Sequence, residues 1–262
     1  LIKNFLANGC SFTEHIIHPD SKTCTWATFL SQQLSTENYI NLAKAGAGND
    51  YICNSTINYL EHHDLDPDDT LVIVMWSGVS RADMLISDDW YEQLKSVQPS
   101  RSDGVSNWIS SGGIANHWQQ RNEIRPIFES YYKITEPVDH CLKSLRYFIM
   151  LESYLKIKGY QFLFTSFINY WGNQRPYYEI TNDHVGRPNQ VTTDPMIGYH
   201  CNQYPMFKKF DFDHWVFVND QKDTICEFAH RQDPRESWHP SNAMHERFTR
   251  EILLPRIQQI HV

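Results

Sequence analysis

Leu71-Val-Ile-Val-Met-Trp76 is an uninterrupted apolar run of strand length. Such a run is what a strand buried on both faces requires, as in parallel sheets covered by helices on each side. The turn Pro67-Asp68-Asp69 precedes it, and upstream the same grammar occurs twice. Ile2 to Ala7 is a short apolar run that breaks into the glycine turn Asn8-Gly9-Cys10-Ser11. Trp26 to Leu34 follows, with Trp26, Phe29, Leu30 and Leu34 spaced along one face of a helix. Tyr39 to Ala43 reads as a second short strand, ends in Gly46-Ala47-Gly48-Asn49, and gives way to helical spacing from Tyr51 to Leu60. The order βαβαβ predicts a parallel sheet with crossover helices.

Working outward, residues of about 82 to 135 lose clean periodicity and include Ser110-Ser111-Gly112-Gly113, which reads as an insertion over the sheet edge. Asp139 to Lys158 regains helical spacing through Leu142, Leu145, Phe148, Ile149 and Leu155, stops at Gly159, and feeds the apolar strand Gln161 to Phe167. Tyr170 to Asp213 is a second irregular excursion, Trp215 to Val218 a short strand, and Ala243 to Ile260 a closing helix. The expectation is one α/β domain over residues 1–262, with insertions at about 82–135 and 170–213.

Composition narrows the function classes. The net charge is −8 and no stripe of Lys and Arg occurs, which argues against a nucleic-acid surface. No apolar run approaches the roughly 18 to 20 residues of a membrane helix. The six cysteines are scattered without a CxxC pair, so reduced thiols are expected, and with no leader in view a soluble, cytoplasmic protein. His62-His63-Asp64 and Asp211-Phe-Asp213-His214 are metal-ligand types without a second cluster at ligand spacing, and Gly46-Ala-Gly48 lacks a third glycine, Tyr51 standing there. Neither metal nor cofactor is expected. Aromatic content is 14%, and in the two excursions (Trp90, Trp108, Trp118, Tyr131, Tyr132, Tyr170, Trp171, Tyr177, Tyr178) packing is the main expected role, with some rings lining a cleft for sugar or acyl groups.

In an open parallel sheet, reactive groups gather beyond the carboxyl ends of the strands. Three strand ends offer candidates: Ser11 after the glycine turn, Gly46 where a bare backbone can approach a ligand oxygen, and Trp76-Ser77-Gly78-Val79-Ser80-Arg81. Arg81 reads either as a solvated charge or as a ligand for a carboxylate. Cys10 is expected as buried filler rather than as a rival nucleophile. Near the C-terminus, Glu236-Ser-Trp-His239-Pro240 places a carboxylate three residues before a histidine, with Asp233 a rival carboxylate six residues before it. Such spacing lets a carboxylate hold Nδ1–H while Nε2 takes a proton from a serine.

Taken together, Gly9-Cys10-Ser11-Phe12-Thr13, Asn41-Leu-Ala-Lys-Ala-Gly46 and Glu236-x-x-His239-Pro240 resemble the nucleophile, oxyanion-glycine and histidine blocks of the SGNH, or GDSL-type, hydrolase superfamily. The resemblance implies a flavodoxin-like three-layer α/β/α sandwich and a carboxylic ester hydrolase. Ser11 would attack, His239 act as base with Glu236 or Asp233 orienting it, and the amides of Ser11 and Gly46 hold the oxyanion. The superfamily's Gly-x-Asn-Asp block is replaced by Trp76-Ser77-Gly78, similar to blocks ending in Arg in viral and marine members. Ser77 or Asn49 would then supply the missing oxyanion donor, with Trp76 and Arg81 beside the substrate. The implied substrate is a small-molecule or glycan ester, such as an O-acetylated carbohydrate. The alternatives are a catalytically weak or inactive glycan-binding, partner-binding or virion-associated module on the same scaffold, and an O-acyltransferase.

Overall fold

A computed structural model describes residues 2–14, 16–18, 21–95, 107–111, 124–171, 196–233 and 239–260. Its strands are β1 (Asn4–Asn8), β2 (Ile16–His18), β3 (Ser21–Thr23), β4 (Asn38–Asn41), β5 (Thr70–Trp76), β6 (Asp83–Leu85), β7 (Trp108–Ser110) and β8 (Gln161–Ser166). Its helices are α1 (Trp26–Leu34), α2 (Asn49–His62), α3 (Asp88–Lys95), α4 (Arg125–Ile134), α5 (Pro137–Lys158), α6 (Ile197–Cys201), α7 (Pro205–Lys208), α8 (Ile225–Gln232), α9 (Asn242–Phe248) and α10 (Leu254–Ile260). Four strands form an all-parallel sheet in the order β4-β1-β5-β8. In order of appearance in the chain the sheet strands run 2-1-3-4, the flavodoxin-like arrangement of a doubly wound α/β fold.

The order fixes which face each helix covers. The crossover through α1 moves outward from β1 to β4, whereas those through α2 and α5 move the other way, to β5 and β8. Right-handed connections then place α1 on one face and α2 with α5 on the other. Side chains agree: Phe5 meets Trp26 of α1 edge-on at 6.4 Å, while Asn8, three residues along and so on the opposite face of the strand, bonds to α2. Trp76 lies against Phe148 of α5, and α2 packs on α5. Every residue of β1 and β5 is buried. Each large apolar side chain sealed between these layers contributes about 1.5–3 kcal/mol.

The sheet strands and their main helices fall close to the sequence expectation, α1 with the same bounds and Gly159 as the left-handed cap (φ 80°) that stops α5. Other segments differ. Residues 214–216 add to the edge beside β8 through a single parallel bridge, Phe164 to Trp215, instead of a strand over Trp215 to Val218. The described part of the first excursion has regular structure: β6 pairs antiparallel with β7, and Ala82, Ile109, Ile124 and Phe128 form a small core of their own. The antiparallel β2–β3 pair and α8 had no counterpart in the reading above. Thr224-Ile-Cys-Glu227 at the start of α8 is a capping box, a signal legible in sequence, with the Glu227 carboxylate accepting from both the amide and the hydroxyl of Thr224. The closing segment is α9, a π-helical turn at Thr249–Leu253, and α10. Among the described residues no helix is long and apolar enough to cross a membrane.

Two helix starts are capped by distant residues. Gly48 is the N-cap of α2 and has no side chain to give, and Asp83 supplies it, its two carboxylate oxygens accepting from Gly48 N–H (2.8 Å) and Tyr51 N–H (2.9 Å). At α1, the Thr25 hydroxyl bonds elsewhere, and Nδ1 of buried His245 accepts from Trp26 N–H at 3.2 Å. Such capping answers the orphan N–H groups of a first turn.

Burial raises the Asp83 carboxyl pKa to about 6 despite those donors. An unfolded aspartate titrates near ~3.9, so between these values the folded state binds more protons. The stabilising contribution of protonated Asp83 is full below the unfolded value and lost as the pH rises through 6. Denaturant titrations at pH 4 and pH 7 should therefore show the wild type losing about 2 kcal/mol relative to Asp83→Asn; parallel pH dependences in the two proteins would refute the assignment.

Candidate active site

Ser11 sits on the turn after β1, and every neighbour in that turn is fastened. Gly9 N–H donates to Oδ1 of Asn8, and Gly9 C=O accepts from Lys44 N–H. Cys10 C=O accepts from the Thr13 and Glu14 amides. Thr13 C=O accepts from the Thr25 hydroxyl and from Nδ2 of Asn41, and the Thr13 hydroxyl accepts from the Trp26 indole N–H. Glu14 reaches across to accept from Ala45 N–H. The turn and the loop after β4 are thus one bonded unit. Within it the half-buried Ser11 side chain projects away from the unit, its Oγ 2.8 Å from Nε2 of His239, 228 residues later in the chain.

His239 follows α8 and precedes α9, and its ring stacks on Phe12 at 4.5 Å. Partial desolvation, and then the positive charge of Arg81, hold its pKa below the ordinary 6.5. At neutral pH it is a neutral imidazole, and in the Nδ1–H tautomer Ser11 Oγ–H donates to Nε2. His245 is more deeply buried, and burial followed by the proximity of His239 lowers its pKa to about 3. It remains a neutral helix cap. Asp233 is the C-cap of α8, and Glu236 lies outside the described residues, as do Trp118, Tyr177 and Tyr178.

Gly46 takes φ 79°, a conformation suited to glycine, at the loop after β4. Among the described residues neither the Ser11 nor the Gly46 N–H meets an acceptor, whereas the surrounding loop amides of Lys44, Ala45 and Ala47 do. These two amides lie on loops that the Lys44 N–H to Gly9 C=O and Ala45 N–H to Glu14 bonds hold together.

The remaining candidates divide. Ser77, fully buried at the end of β5, accepts on Oγ from Nη1 of Arg81 at 2.6 Å. Arg81 also donates to Ala47 C=O, next to Gly46, and its guanidinium lies 5.3 Å over the Phe167 ring. Phe167 stacks on Phe12 at 4.7 Å, which joins Arg81 to the wall under His239. Asn49 is not an oxyanion donor here. Its Nδ2 donates to Ser77 C=O and Ser144 Oγ, and its Oδ1 accepts from Ser77 N–H, so the amide is spent on positioning Ser77. Trp76 is not beside a substrate either. It is fully buried, with its ring against Phe148 (4.6 Å) and Phe164 (5.3 Å), because the alternation of β5 turns it into the helix layer. Cys10 is buried filler. Among the described residues no three His, Cys, Asp or Glu side chains gather as a metal-ligand set. Asp83 and His245 were missed because their partners lie far off in sequence and no local pattern marks them.

Residues 13–177, more than half of the chain, match the profile of DUF6071, a family of unknown function, and the chain belongs to that family. The matched span holds Gly46, Asn49, Ser77 and Arg81 but neither Ser11 nor His239. No curated protein matches the chain.

A side chain at Gly9 has no room: an added Cβ would lie 2.3 Å from Oγ1 of Thr13 and 2.9 Å from Met75 C=O. Gly9→Ala should lose about 1–3 kcal/mol in urea unfolding, the usual cost of overpacking a sealed site. A midpoint equal to the wild type's would show that the turn is not so tightly held.

Proposed function

We propose that this member of a family of unknown function is a metal-independent serine esterase. The observation that carries the reading is the contact between Ser11 Oγ and Nε2 of His239 across 228 residues, at the carboxyl ends of β1 and its neighbours. A solvated serine gains nothing from such a partner, whereas a nucleophile needs one.

In the reaction, Ser11 Oγ attacks the ester carbonyl carbon while Nε2 of His239 takes the hydroxyl proton. The tetrahedral oxygen is held by the N–H groups of Ser11 and Gly46. Collapse breaks the bond to the alcohol, which leaves with the proton from His239, and an acyl group remains on Ser11. Water, deprotonated by the same imidazole, then attacks the acyl carbon; the bond to Ser11 Oγ breaks, Oγ takes the proton back from His239, and the acid is released. Glu236 is the proposed partner for Nδ1–H, with Asp233 the rival. The proposed substrate is an O-acylated carbohydrate or a small acyl ester. Support for a sugar comes from Tyr132, an exposed flat ring whose hydroxyl donates to Ser80 C=O on the loop that carries Ser77 and Arg81.

Two measurements test the reading. Intact-mass analysis after a fluorophosphonate probe should give one adduct on Ser11, lost in Ser11→Ala and suppressed in His239→Ala. Hydrolysis of an activated acetyl ester should fall at least ~10³-fold in each variant. Because His239 must be neutral to accept the proton and its pKa is lowered, kcat/KM should rise with pH through a midpoint below 6.5 and then level off. Absence of an adduct on folded wild-type protein would overturn the esterase and favour a binding module. Accumulation of a transacylated product when a sugar acceptor is added would identify an acyltransferase.

A further inference from the structure

The imidazole that meets Ser11 lies flat on the side chain of the very next residue. His239 and Phe12 stack with ring centroids 4.5 Å apart and planes 18° from parallel, and Phe12 stacks on Phe167 at 4.7 Å and 28°. The two phenyl rings belong to the sealed frame of the sheet, both being buried. Phe167 N–H donates to Trp76 C=O at the end of β5, and Phe167 C=O accepts from Cys226 N–H in α8. Phe12 sits in the turn that the Thr13 and Glu14 amides close on Cys10 C=O. His239 instead arrives on the segment between α8 and α9. There Pro240 restricts its backbone to extended conformations, and the Ser241 hydroxyl caps α9 by accepting from Met244 N–H. These constraints place the Cα of His239 but leave its two side-chain torsions to be set by what the ring touches.

Resting on the esterase reading above, we infer that Phe12 is a positioning residue for the general base: its ring holds the plane of the His239 imidazole so that Nε2 meets Ser11 Oγ, and Phe167 holds Phe12 in turn. The stack sets the plane of the imidazole, and the 2.8 Å contact with Oγ sets its rotation within that plane. Residues 11 and 12 share one turn, so the nucleophile and the surface that seats its base move as one body. The alignment of Oγ with Nε2 therefore does not rest on a carboxylate at Nδ1 alone. The role requires a flat face, because a stacked pair has a preferred interplanar angle and an aliphatic side chain of similar bulk has none. Such a pair favours the stacked conformers by about 2- to 10-fold, and a reacting pair displaced by about 1 Å reacts up to ~10²-fold more slowly.

The experiment uses the full chain with Phe12→Leu, Phe12→Tyr, Phe167→Leu and the Phe12→Leu/Phe167→Leu double variant. Phe162→Leu is the matched control, the same change in a buried ring of β8 that stacks on His214 at the other end of the strand. Rates on 4-nitrophenyl acetate and ethyl acetate are taken per site labelled by the fluorophosphonate, so that unfolded protein does not count. Phe12→Leu should lower kcat on 4-nitrophenyl acetate at least about 10-fold without raising KM, the pattern of an interaction that matters only in the transition state. Its loss of kcat/KM should be larger on ethyl acetate, whose alkoxide leaves only with a proton from His239. Phe12→Tyr, which keeps the flat face, should stay within about threefold of wild type on both substrates, and so should Phe162→Leu, whatever its urea midpoint. Phe167→Leu should lower kcat less than Phe12→Leu, and the double variant should cost less than about twofold more than Phe12→Leu, because Phe167 acts through Phe12. Should Phe12→Leu not fold, Phe12→Met carries the same expectations. The inference is overturned if folded Phe12→Leu keeps kcat within about threefold of wild type, if Phe12→Tyr is as poor as Phe12→Leu, or if Phe162→Leu loses as much. Failure of the wild type to label or turn over would instead bring down the esterase reading itself. A labelled, active wild type with an unaffected Phe12→Leu refutes the Phe12 role alone.

Discussion

The buried side-chain amide of Asn8 is the interaction on which the arrangement depends. Asn8 ends β1 in the middle of the sheet, where an unsatisfied polar group is costly. The two protons of its Nδ2 are shared among Ile52 C=O and the hydroxyls of Ser55 and Thr56, which themselves donate to carbonyls one turn earlier in α2. Its Oδ1 accepts from Gly9 N–H at 2.7 Å. One side chain thus fixes the register between strand and helix and turns the chain out of the sheet at the point where Ser11 follows. The satisfaction of a buried amide, which folding must arrange in any case, sets where the turn carrying Ser11 leaves the sheet.

A second constraint acts from outside the two crossover units. The first turns of α1 and α2 lack caps from their own residues, and His245 and Asp83 supply them from the last helical segment and from the first insertion. Both choices bring distant chain to the carboxyl edge of the sheet. His245 anchors α9, just beyond His239, against α1, reinforced by the Thr249 hydroxyl donating to Trp26 C=O. Asp83 docks the β6–β7 pair over the start of α2, with Ser110 of β7 donating to its carboxylate. The close approach of that carboxylate leaves no space for a Cβ at Gly48. The same contacts that complete the helix ends therefore bring both segments to the edge of the sheet from which Ser11 follows.

Much of this was legible in the chain. Continuous apolar runs, helical spacing and glycine stops located β1, β5, β8, α1 and α5, since burial on both faces and amphipathic packing are written in local periodicity. The glycine turn at Gly9, the left-handed Gly46 and the histidine near the C-terminus were readable as residue types suited to a role. Less legible were Trp76 and Asn49, which sit in a motif-like stretch yet serve packing and positioning. Which helix layer a residue at a strand end faces depends on the phase of the strand, and a run apolar at every position carries no phase. The small core of the first excursion was not legible for a related reason: Ala82, Ile109, Ile124 and Phe128 come from separate segments and share no local period.

The sequence by itself determined the order of the four sheet strands and their crossover helices, and with right-handed crossovers that order left few sheets to choose from. It also determined that a serine would follow the first strand at a glycine turn. Only the tertiary structure decided that Ser11 meets His239, that Asn49 serves Ser77, that Arg81 bridges two loops, and that Asp83 and His245 cap helices not their own. These are contacts between groups separated by tens to hundreds of residues, selected by the need to satisfy polar atoms once the layers have closed, and no local pattern encodes that pairing.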